Sequence, residues 1–392
     1  MENDGTRRPT RRELLGTSVT IGSGLLAGCS GGGGTETPTE ESTSTADPTA
    51  TAQSTATPDE GYTVSMAPVG DVEFDEVPRE WLPYTGDYAD MGVALGQGDG
   101  LLGIGLKARF GTHYYDGLPD VSVDAGELTA LYDDSGTDKE MFYEVDADVH
   151  VIDPNFMINR LGWDQDDVDE IGENVAPFVG NTTFSRAYDW HDYEYYSMYE
   201  AFEKVAEIFQ ERERYEAFAT LHEEVQADVE DRLPEERPDI ALLYPADVPP
   251  ESFYPYLIGE GTQAKQWRDL DVGDALAEHD VTDAQAGGGE IDFETLLEID
   301  PDALAIRLQG EITEEYFDEN IRTPLEEHDV ASDLTAVQND RVIYGGLTYQ
   351  GPIIHLFQLE AAAQGLYPDE FGDEELFDRQ RVSAIVTGEF DA

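Results

Sequence analysis

The sequence predicts an α/β fold of two lobes, each a mostly parallel sheet flanked by helices, joined by one helical stretch. Three observations predict it. Residues Tyr199–Asp231 carry apolar side chains at helical spacing: Phe202, Val205, Phe209, then Phe218, Leu221, Val225 and Val229. The positions between them are mostly Glu, Gln, Arg and Asp, which leaves one face to solvent. On either side of this stretch, short β-like runs alternate with helical ones, the pattern of a parallel sheet. Pro234 stops the stretch, and Glu211–Arg214, without a strong apolar position, is where a bend belongs. The alternative for this stretch is an ordinary core helix of one larger domain. The body from 61 to 392 is long enough for two cores.

Ahead of that body lie two segments that are not fold. In Thr10-Arg11-Arg12-Glu13-Leu14-Leu15 a pair of arginines precedes a weakly apolar run from Leu14 to Ala27. That run is too short and too rich in Gly, Ser and Thr for a membrane span, and it reads as a twin-arginine export signal. It ends in Leu26-Ala27-Gly28-Cys29, which is similar to a lipoprotein cleavage box, and Cys29 is the single cysteine of the chain. A lone thiol forms no internal disulfide, so lipidation of Cys29 is expected, with 1–29 as the signal peptide. The other reading is a chance cysteine in a leader. Residues 30–60 are Gly, Ser, Thr, Glu, Pro and Ala with essentially no large apolar side chain. They cannot bury enough surface to offset ordering entropy and read as a tether. The expected divisions after it are 61–200, 201–235 and 236–392.

The chain carries 86 acidic and 22 basic residues, a formal charge of −64 spread along its whole length. Charge of one sign opposes compaction unless it is screened. At molar salt the Debye length falls to about 3 Å, so a protein working in very high salt is expected. The absence of a basic footprint disfavours nucleic acid as a partner, and none is expected.

In the first lobe, Val77–Tyr84 mixes β-formers and ends in the turn Thr85-Gly86-Asp87, followed by a helix over Tyr88–Leu95. Leu101–Leu106, Asp148–Ile152 and Val175–Val179 are buried-type strands. In the second lobe Asp239–Tyr244, Ala303–Leu308 and Arg341–Tyr344 are strands, Asp283–Gly289 is a weak strand and turn, and Phe293–Glu298 and Ile353–Gln364 are helices. No sequence repeat is detected between the lobes. The glycines at 287–289 lack the Lys-Ser/Thr of a phosphate loop and the spacing of a dinucleotide fingerprint. Parallel sheets bind ligands beyond the carboxyl ends of their strands. Those positions are rich in aromatic and cationic residues: Tyr84, Arg109, Tyr114, Tyr115, Phe156, Arg186, Trp190, Tyr254, Arg307 and Tyr349. In a chain this poor in cations, an arginine beside a strand end is informative. Together these residues point to a ligand-facing wall.

The order of parts resembles the helical-backbone class of substrate-binding proteins of ABC importers, which bind ferric siderophores, cobalamin, haem or bare metals. Asp87-Tyr-Ala-Asp90…Ala94-Leu95-Gly96 resembles a first-lobe motif that usually reads Ser-Ala-Thr-Glu…Ala-Leu-Gly. Asp146-Ala-Asp-Val-His-Val-Ile-Asp153 resembles its Asp-Leu-Val strand, and Glu173–Asn181 a segment of siderophore-type members. Ile299–Ile306 resembles the second-lobe Asp-Pro-Asp strand, Ala336–Tyr344 the Ala-Val-Lys-Asn-Gly-Arg-Val strand, and the tail Glu360–Phe371 also fits. The resemblance covers nearly all of the body. It implies a ligand cleft between the lobes, one stiff bridging helix and small lobe closure. It also implies acidic residues that dock to permease arginines, at Asp90 and Glu294 here.

What the resemblance implies is a monomeric, lipid-anchored receptor on the outer face of the cytoplasmic membrane. It would capture a ferric hydroxamate-type siderophore and hand it to an ABC permease and its ATPase, with no cofactor and no catalysis. Arg109, Tyr114, Tyr115, Trp190, Tyr254, Arg307 and Tyr349 suit such a chelate: aromatic faces cover its apolar scaffold, and arginines bond its metal-bound oxygens. Cobalamin or haem in the same architecture is the alternative. Bare-metal capture is less favoured, because the seven histidines are scattered without local metal spacing, although distant residues can converge. A secreted enzyme is disfavoured by the lack of Gly-x-Ser-x-Gly, His-Glu-x-x-His and a cysteine nucleophile.

Overall fold

A computed structural model of the chain describes residues 61–132 and 136–390. The signal, Cys29 and the tether lie outside the described residues. The chain enters through a hairpin absent from the sequence reading, β1 (Tyr62–Met66) against β2 (Gly70–Phe74). The first-lobe layer follows. It contains β3 (Trp81–Pro83), β4 (Gly103–Ile104), β5 (Thr129–Ala130) and β6 (Val149–Val151). β3 pairs with β6 and β4 with β5, both in parallel, and bridges Trp81–Leu101 and His150–Phe178 extend the layer. Four helices flank it: α1 (Gly86–Ala94), α2 (Lys139–Val145), α3 (Pro154–Leu161) and α4 (Gln165–Asn174).

The central stretch is two helices, not one. α5 (Met198–Phe209) starts on a reciprocal cap between Ser197 and Glu200. It ends at Gln210, whose φ of 55° is left-handed, and α6 (Arg212–Arg232) follows directly. The break therefore falls just ahead of the expected bend. α6 ends before Pro234, where the proline stop placed it.

The second sheet holds β7 (Asp239–Pro245), β8 (Phe253–Tyr256), β9 (Gly273–Asp274), β10 (Ala303–Ile306) and β11 (Val342–Tyr344). Its order is β11-β10-β7-β8 with β9 beside β7, and only β8 is antiparallel. Residues 253–256, expected only as positions beyond the end of a strand, thus form the edge strand. The expected strand at 283–289 is instead a short turn of 3-10 helix at Ala284–Ala286. Helices α7 (Lys265–Asp269), α8 (Phe293–Ile299), α9 (Pro352–Leu366) and α10 (Arg379–Thr387), with several helical segments of four or five residues between them, complete the fold. α9 packs on both α1 and α7, and α10 on α6, so the C-terminal segment returns to the middle of the molecule.

Both faces of the second sheet are covered, which is why its strands are unbroken apolar runs. Ile240, Leu242, Ala303 and Ala305 join a core that continues through α1, α5, α6 and α9. Ala241, Leu243, Leu304 and Ile306 fill a separate core on the other face. In the first lobe, Leu82, Phe142, Met157, Trp163 and Phe178 make a third. Gly92 of α1 lies flat on the Trp81 ring: a Cβ there would sit 2.2 Å from the indole. Trp81 is fully buried, packs on Phe209 at 5.4 Å and donates its Nε1–H to the Gln97 carbonyl at 2.9 Å, so it has no room to retreat. Gly92→Ala is expected to lower stability by about 1–3 kcal/mol through overpacking. Thermal unfolding in molar salt checks this, and an unchanged melting temperature would mean that the indole moves.

The lobes share a device that the sequence reading missed. Glu140-x-x-x-Glu144-Val145-Asp146-x-Asp148 and Glu294-x-x-x-Glu298-Ile299-Asp300-x-Asp302 align without a gap. Each covers a seven-residue helix, α2 or α8, with an aspartate at its N-cap, Asp138 or Asp292. Each helix ends on a left-handed aspartate, Asp146 at φ 52° or Asp300 at φ 48°. The next aspartate ties down the neighbouring strand. Asp148 accepts from the Arg79 and Glu80 amides, and Asp302 from the Asp239 amide.

Candidate functional site

The carboxyl ends of β3 and β6 carry Tyr84 and, through the cap of α3, Phe156. Asp153 caps α3 by accepting from the Asn155 amide at 2.9 Å and also holds Thr182 Oγ1 at 2.7 Å and the Tyr193 hydroxyl. This fixes the loop that carries Phe184, Tyr188 and Trp190. The rings then run on from one another. Tyr84 packs on Phe156 at 5.7 Å, Phe156 on Phe184 at 5.7 Å, Phe184 on Tyr349 at 5.0 Å and on Tyr188 at 5.9 Å, and Trp190 stacks on Tyr188 at 5.0 Å. Tyr349 arrives from the loop after β11. Gly86 lets it in, since a Cβ there would lie 3.0 Å from the Arg109 carbonyl and 3.1 Å from Tyr349 Cβ.

Arg109, half-buried, lies against this wall. Burial alone would lower its pKa, but the Tyr349, Tyr256 and Tyr244 phenols outweigh burial and raise it. Arg160 sits over the Tyr188 ring at 5.2 Å. Burial pushes the Tyr84 hydroxyl up to about 12, against the opposing bond to Thr137, so it stays a neutral donor.

Across the cleft, alternation along β8 buries Phe253 and Pro255 on one face and turns Tyr254 and Tyr256 to the other. β10, separated from β8 by β7, ends in Arg307, on the face of Ala303 and Ala305. Arg307 is 1 % exposed. Its guanidinium lies over the Tyr256 ring at 5.3 Å and donates to the Gln263 carbonyl. Its Nε has no partner, and among the described residues no carboxylate pairs with it. Burial pushes its pKa down to about 10, so it remains a cation at neutral pH. Gln263 belongs to the loop that bonds the first lobe directly: Thr262 N–H donates to the Thr183 carbonyl at 2.9 Å, and Gln263 N–H to that of Phe184 at 3.3 Å. Gly310 N–H meets the Ala108 carbonyl at 2.9 Å. The lobes are closed on each other. The space at the first-lobe strand ends, about 10 Å³, holds no more than a water.

Five of the ten expected ligand residues come together here: Tyr84, Phe156, Trp190 and Tyr349 in the wall, with Arg109 against it. Arg307 joins from the second lobe. The others do not. Tyr115 is fully buried and donates to Asp90 Oδ1 at 2.7 Å, so it is a core residue and not a ligand contact. Tyr114 packs on Phe357 of α9 at 5.5 Å. Arg186 is exposed, paired with Glu260 across the lobes and laid over Tyr195 at 3.7 Å. Tyr254, 37 % exposed, bonds Glu290 at 3.0 Å on the outer edge of β8. Tyr256, two residues on, holds the position assigned to Tyr254. Tyr188 joins the wall as well, and Arg160, over its ring, is a residue that the sequence did not point to. Tyr188 lies in the same aromatic run as Trp190, while Arg160 sits at a helix end, where a strand-end rule does not look.

Asp90 needs a correction as well. It is fully buried and accepts from the Ile353 and Ile354 amides at 2.9 and 3.0 Å, capping α9 from α1. It cannot reach a permease arginine. Glu294 is exposed at the start of α8.

Residues 84–347 match the sequence profile of the periplasmic binding protein family. The chain belongs to this family. Periplasmic binding proteins work outside the cytoplasm as ligand-capturing partners of an ABC permease and its ATPase. They are not enzymes and carry no cofactor. Solved structures share the fold at low identity. The iron-uptake ABC transporter substrate-binding protein PiuA of Streptococcus pneumoniae is 18% identical, covering 78% of this chain and 98% of that one, with a TM-score of 0.55. The siderophore-binding protein BauB, solved with two acinetobactin molecules and ferric iron, is 17% identical, covering 78% and 99%, at 0.56. The haem-binding protein HmuT is 18% identical, covering 85% and 92%, at 0.52. No curated protein matches the sequence. Among the described residues, no helix is long and apolar enough to cross a membrane.

Proposed function

We propose that this protein is the substrate-binding lipoprotein of an ABC importer for an iron(III) siderophore of hydroxamate type. The observation that carries the reading is an unpaired, buried Arg307 set opposite the wall of Tyr84, Phe156, Tyr188, Trp190 and Tyr349. Aromatic faces suit an apolar chelate scaffold, and Arg307 with Arg109 suits its metal-bound oxygens. Ligand entry parts the 261–263 loop from Phe184, and a ligand oxygen takes over the bond that the Gln263 carbonyl now makes to Arg307. The iron-uptake and siderophore-binding structures of the same fold support this choice. Export by the twin-arginine route, a lipid anchor at Cys29, a monomeric state and a working environment of molar salt belong to the same reading.

Haem is the second reading, because of His191. Both of its ring nitrogens lack partners, and it stacks on Tyr193 at 4.0 Å beside Trp190. It offers an axial ligand that a siderophore does not need. The deciding experiment is quenching of intrinsic tryptophan fluorescence in molar salt by ferric hydroxamates and by haemin, with haemin also followed by its Soret band. Saturable quenching by a hydroxamate alone supports the first reading. A Soret shift that His191→Ala removes supports the second. No response to either overturns both.

For docking, the acidic pair proposed is Glu140 and Glu294, in place of Asp90. They occupy the same position of the shared helix–strand device and are both exposed. Each helix precedes its strand, so its N-terminus lies toward the carboxyl ends of the strands, where the cleft opens. Glu140→Arg with Glu294→Arg is expected to leave chelate affinity unchanged and to lower transport at least about tenfold, since it sets like charges against the permease. Uptake of radiolabelled iron in reconstituted vesicles reads this, and undiminished transport would remove the pair.

A further inference from the structure

Away from the cleft wall, three side chains from three elements converge: His222 of α6, Asp269 at the end of α7 and His355 of α9. One donor atom from each lies within 4.8 Å of the other two. His355 is fully buried and His222 is 5 % exposed. Their rings are 5.2 Å apart, and His222 Nε2 has no hydrogen-bond partner.

A chain of amides fixes how His355 carries its proton. The Leu347 N–H donates to Gln358 Oε1, which turns Gln358 Nε2 toward Gln350 Oε1 at 3.0 Å. Gln350 Nε2 in turn donates to the Thr262 carbonyl at 2.6 Å. Both ends of the chain are backbone groups, so neither amide can be reversed. Gln350 Oε1 is therefore an acceptor, and His355 Nδ1, 3.1 Å away, must bear the hydrogen. In the neutral ring, Nε2 then points a lone pair at Asp269 Oδ2, 2.9 Å away. Two electron-rich atoms at that distance need a positive species at the site. A proton would serve His355 and Asp269 alone, whereas His222 Nε2, unpartnered beside them, leaves a third donor for a larger cation. Lys265 Nζ lies 2.8 Å from Asp269 Oδ2, so an ion at the site has to displace this ammonium.

We propose that His222, Asp269 and His355 bind a divalent transition-metal cation of zinc type. Two neutral imidazoles and a carboxylate are the donor set such ions take, with bonds of about 2.0–2.2 Å. Side-chain adjustment has to bring donors now up to 4.8 Å apart to that distance from a common ion. The Gln350 bond to Nδ1 supplies the outer support usual for a metal-bound histidine. A cleft of about 340 Å³, lined by Tyr199, His222, Glu223, Lys265 and Asp269, gives the ion a way in and the fourth ligand position an opening. It also gives the Lys265 side chain a place to swing when it is displaced. The ion would tie the bridging α6 to α7 of the second lobe and to α9, which packs on α1 of the first. This is a clip at the hinge, separate from the chelate.

The test uses the full chain carrying Cys29→Ser, which removes the single thiol, in molar sodium chloride to suppress weak binding by surface carboxylates. Co²⁺ is titrated by visible absorption and Zn²⁺ by calorimetry and by competition with Co²⁺. One equivalent of Co²⁺ is expected to give a tetrahedral d–d band that Zn²⁺ abolishes. His222→Gln with His355→Gln is expected to weaken binding more than about 100-fold, beyond the loss of an outer-sphere partner. Lys265→Met is expected to tighten it about tenfold by removing the competing ammonium. The same stoichiometry and affinity in the histidine variant would overturn the proposal. Should that variant not fold, the absence of a d–d band from both the parent and Lys265→Met overturns it equally.

Discussion

Replacing Arg307 with methionine is expected to weaken binding of a ferric hydroxamate by about 10–100-fold, the worth of a charge-assisted hydrogen bond to a metal-bound oxygen of about 1.5–3 kcal/mol. The ligand-free protein is expected to stay within about 1 kcal/mol of the parent or to gain stability. The two halves of this expectation have one cause. Arg307 is withdrawn from water almost completely, yet it meets a backbone carbonyl and an aromatic face instead of a carboxylate. Desolvation of the guanidinium is therefore only partly offset while the cleft is empty. Methionine keeps most of the packing volume over Tyr256 and removes the buried charge. A chelate oxygen restores to arginine the partner it lacks, and methionine cannot accept it. Fluorescence titration gives the affinity, and denaturant unfolding in molar salt gives the stability. A variant that loses several kcal/mol of stability yet binds as tightly as the parent would make Arg307 a packing residue.

The parts of the fold that were legible are those in which one local pattern decides the matter. Asp239–Tyr244 and Ala303–Ile306 read as strands because a sheet covered on both faces needs no polar alternation. The central helices read from their apolar spacing, with Gln210 hidden because a left-handed glutamine has no marked signature. What was not legible depended on pairing. Tyr254 and Tyr256 cannot be ranked until β8 is set against β7, and Pro255 inside 253–256 hides the strand. His222, Asp269 and His355 are scattered in the chain and meet only through α6, α7 and α9. The shared Glu-x-x-x-Glu-x-Asp-x-Asp was legible in principle, but in a chain with 86 acidic residues it is camouflaged. The same abundance made Asp90 look like a surface acid.

Asp90→Ala is expected to be among the most damaging single changes, costing at least about 3 kcal/mol. It strands the Ile353 and Ile354 amides and the Tyr115 hydroxyl, three buried donors at about 1–3 kcal/mol each. α9 has no cap of its own, because it begins at Gly351, where a Cβ would lie 2.6 Å from the Asp87 carbonyl and 2.8 Å from Asp90 Oδ2. No side chain at 351 can replace the lost carboxyl. Asp90→Asn is expected to be far milder, since its amide oxygen can accept from both N–H groups while its NH₂ meets Tyr115. The acid and the amide should then differ in pH dependence. Burial pushes the Asp90 carboxyl up to about 7 despite the opposing bonds from Ile354, Tyr115 and Ile353. In the unfolded chain it titrates near 4. Between about pH 4 and 7 the folded state holds a proton that the unfolded state has released, so the Asp90 contribution is full below pH 4 and is lost as pH rises through 7. The loss is at most about 4 kcal/mol, three units at 1.36 kcal/mol each. Other carboxylates add their own slope, so the quantity to measure is the difference in unfolding free energy between parent and Asp90→Asn across that window. A difference that does not vary with pH would mean that Asp90 caps α9 as a carboxylate throughout. If Asp90→Ala kept full stability while transport fell, a docking role would stand again.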